Sequence, residues 1–427
     1  MRRSLGEQPV VVALRALAPA GVGVVGGLVR QDVQLLVQGD LAVVAVVRHC
    51  PTPVRMRRPG PAESHRQPAY PARPARSTDK LGSVIDRTRT ARRSDGHDRA
   101  GVADLAAGST DVPVGGPRRR WPRSFADRLA APLPGLPQLV RLVRASRPLA
   151  SVGDVDRIPI RRTGLPPLRA GTTAATWVGH ATYVLDVGGL RVLTDPVWSR
   201  RIPGVRPRFV PPGVALTDVT PVDAVVISHN HYDHLDAPTI RRLPRDTAVF
   251  VPAGLGDWFR RRGFRRVTEL DWWESARLHD VRFDFVPAQH WSRRGPADSC
   301  RSLWGGWLLG PADGPRIYFA GDTGYGDFFA EIARRHPRID LALLPIGAYH
   351  PRWFLRTVHL DPAEAVRALG VLGAERMATM HWGTFAMTKE PVLEPWELVR
   401  DAWSAAGLPR ERLWDLAIGE TRRLTPA

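Results

Sequence analysis

The strongest constraint on this chain is a group of metal-binding side chains that directly follows an apolar segment. Residues 224–228 are almost uniformly apolar, which is typical of a buried strand, and they lead straight into the sequence His-Asn-His-Tyr-Asp-His. This sequence places four groups of the kind that bind hydrolytic zinc at His229, His231, Asp233 and His234. A polar surface loop is the alternative, but imidazoles this dense would compete for the same hydrogen bonds unless a cation organised them. We therefore predict a metal centre here.

Three more residues complete the predicted ligand set. His290 and Asp322 follow segments predicted as strands, and His381 lies in the sequence Met-His-Trp-Gly. The predicted ligands are, for one ion, His229, His231 and His290 and, for a second ion, Asp233, His234 and His381. Asp322 could bridge the two ions because a carboxylate has two oxygens to share.

Such a centre would hydrolyse its substrate without a protein nucleophile. Two metal ions about 3.5–4 Å apart can hold a bridging hydroxide, because bound water ionises near pH ~7 instead of ~15.7. No GxSxG sequence is present, and Cys50 and Cys300 lack the spacing of a Cys-ligated zinc or a disulfide scaffold. Asp195 could orient a ligand imidazole from outside the metal shell, or it could simply form a turn before Pro196.

The apolar pattern becomes regular beyond residue 171 and predicts alternating strands and helices. The predicted strands are 175–178, 182–187, 190–194, 224–228, 248–252, 281–287, 303–309, 316–320 and 341–345. The predicted helices are 238–243, 255–262, 328–335, 362–369 and 395–406. Antiparallel groups of strands interspersed with helices indicate two sheets with helices on the outside.

The first part of the chain has a different composition. Residues 51–100 are dense in Pro, Arg, Ser and Asp, which indicates disorder. We predict a poorly structured, Arg/Pro-rich extension over residues 1–118 and a hydrolase domain over residues 119–427. The net charge is +19, but residues 1–170 contain 29 Lys and Arg against 13 Asp and Glu, so the remainder is almost balanced. This distribution argues against a nucleic-acid partner.

The sequence also bears on location. It contains no run of about 18 apolar residues, so we predict no transmembrane helix, and Arg15 interrupts the apolar run that a signal peptide would need. We expect a cytoplasmic protein. Residues 119–150 contain a short amphipathic helical pattern with arginines on one side, which could lie on the inner membrane surface or pack against the main domain. The chain could also form a homodimer.

The sequence around the predicted ligands resembles the metallo-β-lactamase superfamily and, within it, the family of N-acyl-phosphatidylethanolamine-hydrolysing phospholipases D. The resemblance covers roughly residues 119–424. The segments that carry it are 177–182, 193–196, 227–236, 269–274, 289–291, 319–325, 345–349 and 381–385. It implies a four-layer αββα sandwich of two mixed sheets.

The resemblance also implies a reaction. Two Zn²⁺ ions would occupy the seven ligands, and His359 would act near the scissile phosphate. The catalytic residues would be Asp233, Asp322 and His359, and the reaction would convert N-acyl-phosphatidylethanolamine to N-acylethanolamine and phosphatidate. This chain departs from the family at Val358, where the family typically has Gln, and at His350, where it typically has Glu. Both positions flank the expected substrate pocket, so the acyl or head-group preference is open.

Two other functions fit the same residues. One is a soluble metallo-lactonase or phosphodiesterase for a small polar substrate, and the other is an inactive membrane-surface binding protein. An apolar channel beside the metals, reached from residues 119–150, would favour the lipid substrate, whereas a narrow polar pocket would favour the small one. The complete ligand set argues against an inactive protein. Trp353, Phe354 and Leu355 could form an apolar lip for lipid chains or belong to the core.

Overall fold

The computed structural model describes residues 34–38, 41–45, 112–144, 152–162, 164–169 and 171–424. Within these ranges the strands are β1 (Gln34–Gln38), β2 (Leu41–Ala45), β3 (Thr173–Gly179), β4 (Thr182–Val187), β5 (Leu190–Thr194), β6 (Ala224–Val226), β7 (Ala248–Pro252), β8 (Val267–Leu270), β9 (Ser275–Leu278), β10 (Val281–Val286), β11 (Gly306–Pro311), β12 (Ile317–Phe319), β13 (Leu341–Pro345), β14 (Met377–Met380), β15 (Leu413–Trp414) and β16 (Thr421–Leu424). The α-helices are α1 (Leu136–Arg144), α2 (Leu216–Val219), α3 (Ala237–Arg242), α4 (Gly256–Arg260), α5 (Phe328–Arg335), α6 (Arg352–Leu355), α7 (Pro362–Leu372) and α8 (Glu394–Ala405).

Fourteen of the described strands form two seven-stranded mixed sheets. The first sheet has the order β16-β3-β4-β5-β6-β7-β8, and the second has the order β15-β14-β13-β12-β11-β10-β9. In the first sheet β5 to β8 are parallel, and in the second β12 to β15 are parallel, while the remaining pairs are antiparallel. The predicted sandwich of two mixed sheets is confirmed.

The sheets pack face to face because their strands are apolar on both sides. Trp177 and Tyr183 lie in the core between the sheets, whereas the neighbouring residues Val178 and Val184 pack with residues of α2, α3 and α4 on the outer face. Phe250 of β7 stacks on Phe283 of β10, with ring centroids 4.2 Å apart, and so joins the two sheets. Residues of α5, α7 and α8 complete the large core cluster. A strand buried on both faces has no alternation of polar and apolar residues, as the sequence shows.

Helix α7 shows how the local sequence sets an element boundary. Asp361 caps its N-terminus by accepting a hydrogen bond from the backbone N–H of Glu364, whose side chain accepts one from Asp361 in return. Pro362 fills the first helical position, where no N–H is needed. Gly373 ends the helix in a left-handed conformation with φ of +63°, which glycine adopts without steric cost. The helix extends three residues beyond the predicted end at residue 369.

One predicted strand is displaced in the structure. The sequence predicts 303–309, but β11 starts at Gly306, because the backbone of the preceding residues bonds to other segments. Leu303 donates its N–H to Ala253 O at 2.9 Å, and Gly305 donates to Ser228 O at 3.0 Å, so this stretch joins the loops of the first sheet. Strands β8, β9, β14, β15 and β16 were not predicted, nor were helices α2 and α6.

Only part of the predicted N-terminal extension lies within the described residues. Strands β1 and β2 pair in antiparallel fashion, and the rest of residues 1–111 lies outside the described ranges. Within the described residues, Val112 already contacts the sandwich by donating its N–H to Ser275 O at 2.6 Å, upstream of the predicted domain start at residue 119. Val112 and Val114 also pack against the core. In the described part of the chain no helix is long and apolar enough to cross a membrane.

Candidate metal centre

The predicted ligands meet at one edge of the sandwich because they follow strands that run in the same direction. The loop of His229 to His234 follows β6, His290 follows β10, Asp322 follows β12 and His381 follows β14. Strand pairing makes β6 parallel to β5 in one sheet, and makes β10, β12 and β14 run alike in the other. The carboxyl ends of these strands therefore lie together, and the side chains that follow them converge.

His229, His231 and His290 form the first cluster, with donor atoms that all lie within 4.8 Å of one another. His229 Nε2 lies 2.7 Å from His231 Nδ1, and His290 Nε2 lies 3.2 Å from the same atom. All three side chains are buried. This is the group of three that the sequence assigned to one ion.

The rings of His229 and His290 each form a hydrogen bond through Nδ1, on the side away from the cluster. These bonds leave the lone pair of Nε2 facing into the cluster. The Ser228 hydroxyl donates to Asp195 Oδ2 at 2.5 Å, so His229 Nδ1, at 2.9 Å, must donate to Ser228 Oγ. His290 Nδ1 lies 3.0 Å from Val358 O, which can only accept. Both Nδ1 atoms then carry the proton and Nε2 offers the lone pair, as a metal requires. Burial, with His234, His231 and His290 nearby, holds the pKa of His229 well below its usual range, so its ring is neutral.

Asp233, His234 and His381 form a second cluster that also contains His180. Asp233 Oδ2 lies 3.2 Å from His234 Nε2, 3.4 Å from His381 Nε2 and 2.9 Å from His180 Nε2. The two clusters adjoin, because the rings of His229 and His234 have centroids 4.2 Å apart.

His180 is the residue at this site that the sequence analysis missed. It follows β3, which runs parallel to β5 and so ends at the same edge as the other ligand loops. Burial and the neighbouring His381 lower its pKa to about 3, so the ring is neutral. Its position directly after a strand, within the resembling segment 177–182, is the signal that could have identified it.

Asp322 lies against the second cluster. Its Oδ2 atom is 3.0 Å from both His234 Nε2 and His381 Nε2. The predicted role as a bridge to the first cluster remains a prediction. Burial alone would lower the pKa of His234, but the carboxylates of Asp322 and Asp233 outweigh it and raise that pKa well above its usual range. Two buried carboxylates therefore demand positive charge at this point, from a proton or from a metal cation.

The polar atoms that converge here fit a cation better than they fit one another. Among the described residues, His234 Nε2, His381 Nε2 and both carboxylate oxygens of Asp322 are buried without a hydrogen bond of acceptable geometry. Buried polar groups are normally paired, so a set of such atoms facing one another is evidence for a missing partner. The donor types, imidazole nitrogen and carboxylate oxygen, are those of zinc.

Three of the described non-glycine residues with a positive φ lie at the same edge. His180, Asp195 and His381 adopt left-handed conformations with φ of +56°, +33° and +64°. Such conformations cost about 1–3 kcal/mol each in a non-glycine residue, and they persist where function imposes them. Each of the three follows directly on a strand and turns its side chain toward the site.

Asp195 holds an imidazole of the second cluster, as one of its two interpretations anticipated. Its Oδ2 atom lies 2.6 Å from His234 Nδ1, and its Oδ1 atom accepts the Ser228 N–H at 2.7 Å. The carboxylate thereby fixes the His234 ring so that Nε2 faces Asp233 and Asp322. Burial raises the pKa of Asp195, and its hydrogen bonds with His234 and Ser228 oppose that rise.

His359 lies beside both clusters. Its ring centroid is 5.2 Å from that of His290 and 5.6 Å from that of His381, and its Nδ1 atom is 4.0 Å from Asp322 Oδ2. The side chain is buried, and the backbone carbonyl accepts a hydrogen bond from Arg352 Nη1 at 2.8 Å. The 4.0 Å between His359 Nδ1 and Asp322 Oδ2 places His359 beside the predicted ligands but outside their closest contacts with one another.

An apolar pocket of about 530 Å³ opens beside the first cluster. Its walls come mainly from residues 129–134 and from the α6 region. The residues that line it are His290, Leu129, Ala130, Ala131, Pro132, Leu133, Pro134, Trp291, Phe354, Leu355, Thr357 and Val358. Phe354 and Leu355 are buried against Leu142 of α1, as core residues would be, and they also line this pocket. A second pocket, of about 470 Å³ and more mixed polarity, opens at His381.

The two positions that depart from the resembling family lie in different places. Val358 lines the apolar pocket, and its carbonyl oxygen accepts the hydrogen bond of His290. His350 is exposed, and its backbone N–H donates to Glu390 Oε2 at 3.2 Å. Val358 therefore adds apolar surface where the family typically has a polar side chain.

Comparisons with known proteins agree with this geometry. A family profile described as the Beta-lactamase superfamily domain matches residues 190–382. N-acyl-phosphatidylethanolamine-hydrolyzing phospholipase D 1 of Caenorhabditis elegans is 39% identical over 250 residues, which cover 54% of this chain and 70% of that protein. The uncharacterized protein Rv0906 of Mycobacterium tuberculosis is 42% identical over 273 residues, which cover 61% of this chain and 70% of that protein.

A solved structure supports the fold. The crystal structure of a possible metal-dependent hydrolase from Veillonella parvula superposes with a TM-score of 0.52 and 19% sequence identity. The match covers 60% of this chain and 100% of that one. At this identity the similarity concerns the fold alone.

Proposed function

This chain belongs to the metallo-β-lactamase superfamily and is a metal-dependent hydrolase, and on that premise we propose that it cleaves a lipid phosphodiester. The proposed reaction is of the phospholipase D type, in which N-acyl-phosphatidylethanolamine gives N-acylethanolamine and phosphatidate. The relative from Caenorhabditis elegans bears the name of this activity.

The proposed cofactor is a pair of zinc ions. The two clusters would each hold one ion, and Asp322 would contribute to both. When bound, the ions would supply a water nucleophile at neutral pH and stabilise negative charge on the phosphate. The protein would supply the geometry: Ser228, Asp195 and the Val358 carbonyl hold the ligand rings, and burial keeps His229 neutral.

His359 would contact the substrate. Its ring lies between His290 and His381, beside the predicted ligands, and so faces the place that a phosphate group would occupy. We propose that it donates a hydrogen bond to a phosphate oxygen or to the leaving oxygen. Arg352 steadies this residue through its backbone, and also pairs with Glu364 of α7 at 2.7 Å.

The observation that carries the lipid assignment is the apolar pocket beside His290. Ten of its twelve lining residues have apolar side chains, and residues 129–134 form one wall. A small polar substrate would leave these walls exposed to water, whereas an acyl chain would gain roughly 0.8 kcal/mol for each methylene buried. The pocket therefore favours a diester with an apolar arm over the small polar alternative.

Helix α1 would bring the pocket to its substrate. Leu139 and Leu142 pack on the α6 region, whereas Leu136 and Val140 on the other face are exposed by 73% and 39%. Residues 112–170 contain 12 arginines against three aspartates, which favours an anionic surface. We propose peripheral contact with a phospholipid bilayer through this face. A homodimer remains a prediction.

The test is turnover of N-acyl-phosphatidylethanolamine in mixed micelles, with the products identified by mass spectrometry. We expect N-acylethanolamine and phosphatidate, and we expect a chelator to abolish both. Asp322→Asn should reduce kcat/KM by more than about 100-fold, because replacing even a residue that only hydrogen-bonds to a metal ligand lowers metal affinity or activity by ~10–100-fold. Asp327→Asn, which changes an exposed aspartate five residues away, is the matched control.

Other results would redirect the assignment. Turnover that is indifferent to both chelator and Asp322→Asn would refute the two-metal mechanism. Hydrolysis of a lactone or of bis(p-nitrophenyl) phosphate without any turnover of the lipid would leave the metal chemistry standing and remove the lipid substrate.

A further inference from the structure

Arg294 is a partly buried cation that lies against the backbone of the metal-binding loop. It belongs to the segment after His290, and in the described structure no carboxylate pairs with its guanidinium. Instead, its Nη1 atom donates to three backbone carbonyl oxygens, of Asn230 at 2.9 Å, His231 at 3.3 Å and Leu235 at 2.6 Å. All three belong to the loop that carries four of the predicted ligands.

These carbonyl groups share one side of a tight turn. The N–H groups of His234 and Leu235 both donate to His231 O, at 3.2 and 2.9 Å. The turn sends His229 and His231 to the first cluster and His234 to the second. The carbonyl groups of Asn230 and Leu235 also need a donor, and the Arg294 guanidinium supplies it to both.

Two neighbouring residues, Tyr232 and Asp298, hold Arg294 in place. Its guanidinium lies 4.2 Å from the centroid of the Tyr232 ring, and the Tyr232 hydroxyl donates to Arg294 O at 2.7 Å. The Asp298 carboxylate accepts the backbone N–H groups of Arg294 and Gly295, at 3.0 and 2.7 Å. The Arg294 side chain therefore holds the backbone of the metal-binding loop, and the Tyr232 side chain holds the backbone at Arg294. Burial lowers the pKa of Arg294 from its usual value.

We propose that Arg294 is a positioning residue that sets the shape of the metal-binding loop and thereby the affinity for both ions. The proposal rests on the proposed two-metal function. A displacement of this turn would misplace ligands of both clusters at once, because both clusters draw ligands from this one short loop. Lysine offers one compact ammonium group in place of the planar guanidinium fork, so it would hold the carbonyl groups less well.

The experiment compares zinc binding by variants of the full chain. Metal is removed by chelator, and Zn²⁺ is titrated back in competition with a chromophoric chelator. Arg294→Met should weaken zinc binding by roughly 10–100-fold, with Arg294→Lys between it and the wild type. Arg262→Met is the matched control: Arg262 lies 3.6 Å from the centroid of the same Trp258 ring that Arg294 approaches, and donates to Trp258 O at 2.7 Å rather than to the loop.

Thermal unfolding of the metal-free proteins distinguishes the proposed role in zinc binding from a general effect of Arg294 on the stability of the fold. The proposal requires metal-free Arg294→Met to unfold within a few degrees of metal-free Arg262→Met while binding zinc more weakly. Should Arg294→Met fail to fold, Tyr232→Phe, which removes only the hydroxyl that fixes Arg294, should show a smaller loss of zinc affinity in the same direction.

Each failure has its own signature. Wild-type protein that binds no zinc would overturn the proposed function and this inference together. Wild-type protein that binds two ions, with Arg294→Met and Tyr232→Phe binding them equally tightly, would overturn only the inference. An equal loss of affinity in Arg262→Met would also overturn it.

Discussion

At the scale of single residues, His180 shows how a side chain outside the predicted ligand set can shape the metal centre. Its Nε2 atom lies 2.9 Å from Asp233 Oδ2, and its ring centroid is 4.1 Å from that of His381. Its carbonyl oxygen accepts the backbone N–H of His381 at 3.1 Å. Since its pKa is about 3, the neutral ring donates a hydrogen bond to the carboxylate and fixes its orientation. We infer that His180 orients Asp233 and sets the backbone position of His381.

This role predicts the effect of His180→Asn. Asparagine tolerates the left-handed backbone, so the change removes the imidazole without adding strain. We expect zinc affinity at the second cluster to fall by roughly 10–100-fold, measured by competition with a chelator, and kcat/KM to fall with it. His279→Asn is the matched control, because His279 has φ of +51° and is exposed in the turn between β9 and β10. Equal effects of the two changes, or no effect of either, would contradict the assignment.

The sequence predicted most of the residues that the structure brings together here, because they come with the spacing that is typical of metal ligands. His229, His231, Asp233 and His234 occupy six residues, and such density directly after a strand is typical of a metal site. A lone histidine such as His180 gives no such signal, because a single imidazole is more often an ordinary buried group. Asp195 allowed two interpretations, since its contact with His234 joins residues 39 positions apart, which local sequence cannot bring together.

At the scale of secondary-structure elements, strands with a clear apolar pattern were predictable, and strands without one were not. β4 and β5 are mostly apolar and are joined by a Gly188-Gly189 turn, so pattern and turn chemistry agree. β9 and β16 have four residues each and contain charged side chains, which leaves too little periodicity to recognise. β16 forms because β3 offers it an edge, with Leu424 paired to Thr173. Such strands are set by tertiary contact rather than by local sequence.

Helix α1 is the element whose two faces imply a function. The sequence left open whether the amphipathic pattern packs on the domain or faces a membrane, and the helix does have one packed face and one exposed face. Arg141 lies 4.2 Å from the centroid of the Trp353 ring, which ties the helix to the wall of the apolar pocket. A bilayer against Leu136 and Val140 would therefore lie close to the pocket that we assign to an acyl chain.

Charging this face should uncouple the enzyme from lipid surfaces. We expect Leu136→Glu with Val140→Glu to weaken binding to vesicles of anionic phospholipid by at least about tenfold, because apolar contact is lost and charge repulsion is added. Sedimentation of the protein with vesicles measures this. Turnover of lipid in vesicles should fall in parallel, whereas turnover of a short-chain, soluble diester should stay the same.

The control for this change uses exposed apolar residues elsewhere on the surface. Val371 of α7 and Leu398 of α8 are exposed by 37% and 42% and lie on other helices. Replacing both by Glu should leave vesicle binding intact. If the two double variants bind vesicles equally, then α1 is not the contact surface.

At the scale of the whole molecule, the metal centre lies where the two sheets meet. Each cluster combines the loop after β6, in the first sheet, with a residue from the second sheet: His290 after β10 in one case and His381 after β14 in the other. The sequence could predict two sheets, but apolar periodicity tells which face of a strand is buried and not which strand it meets. The predicted ligand set adds information about which loops lie together, because two loops that share an ion must lie at the same edge of the sandwich.

An ion bound by residues of both sheets should stabilise the fold as a whole. Zinc that binds only the folded chain would add about 4 kcal/mol to the free energy of unfolding at a free concentration about 1,000 times the Kd. For a domain of this size we expect the Tm to fall by roughly 10 °C when a chelator removes the metal. Differential scanning calorimetry with and without chelator, followed by addition of excess Zn²⁺, measures the change and its reversal. In Asp322→Asn the chelator should shift the Tm less than in the wild type, because less metal is bound at the start. A Tm that does not respond to chelator in the wild type would mean that the buried imidazoles and carboxylates balance one another without a cation, although the geometry at Asp322 argues against this.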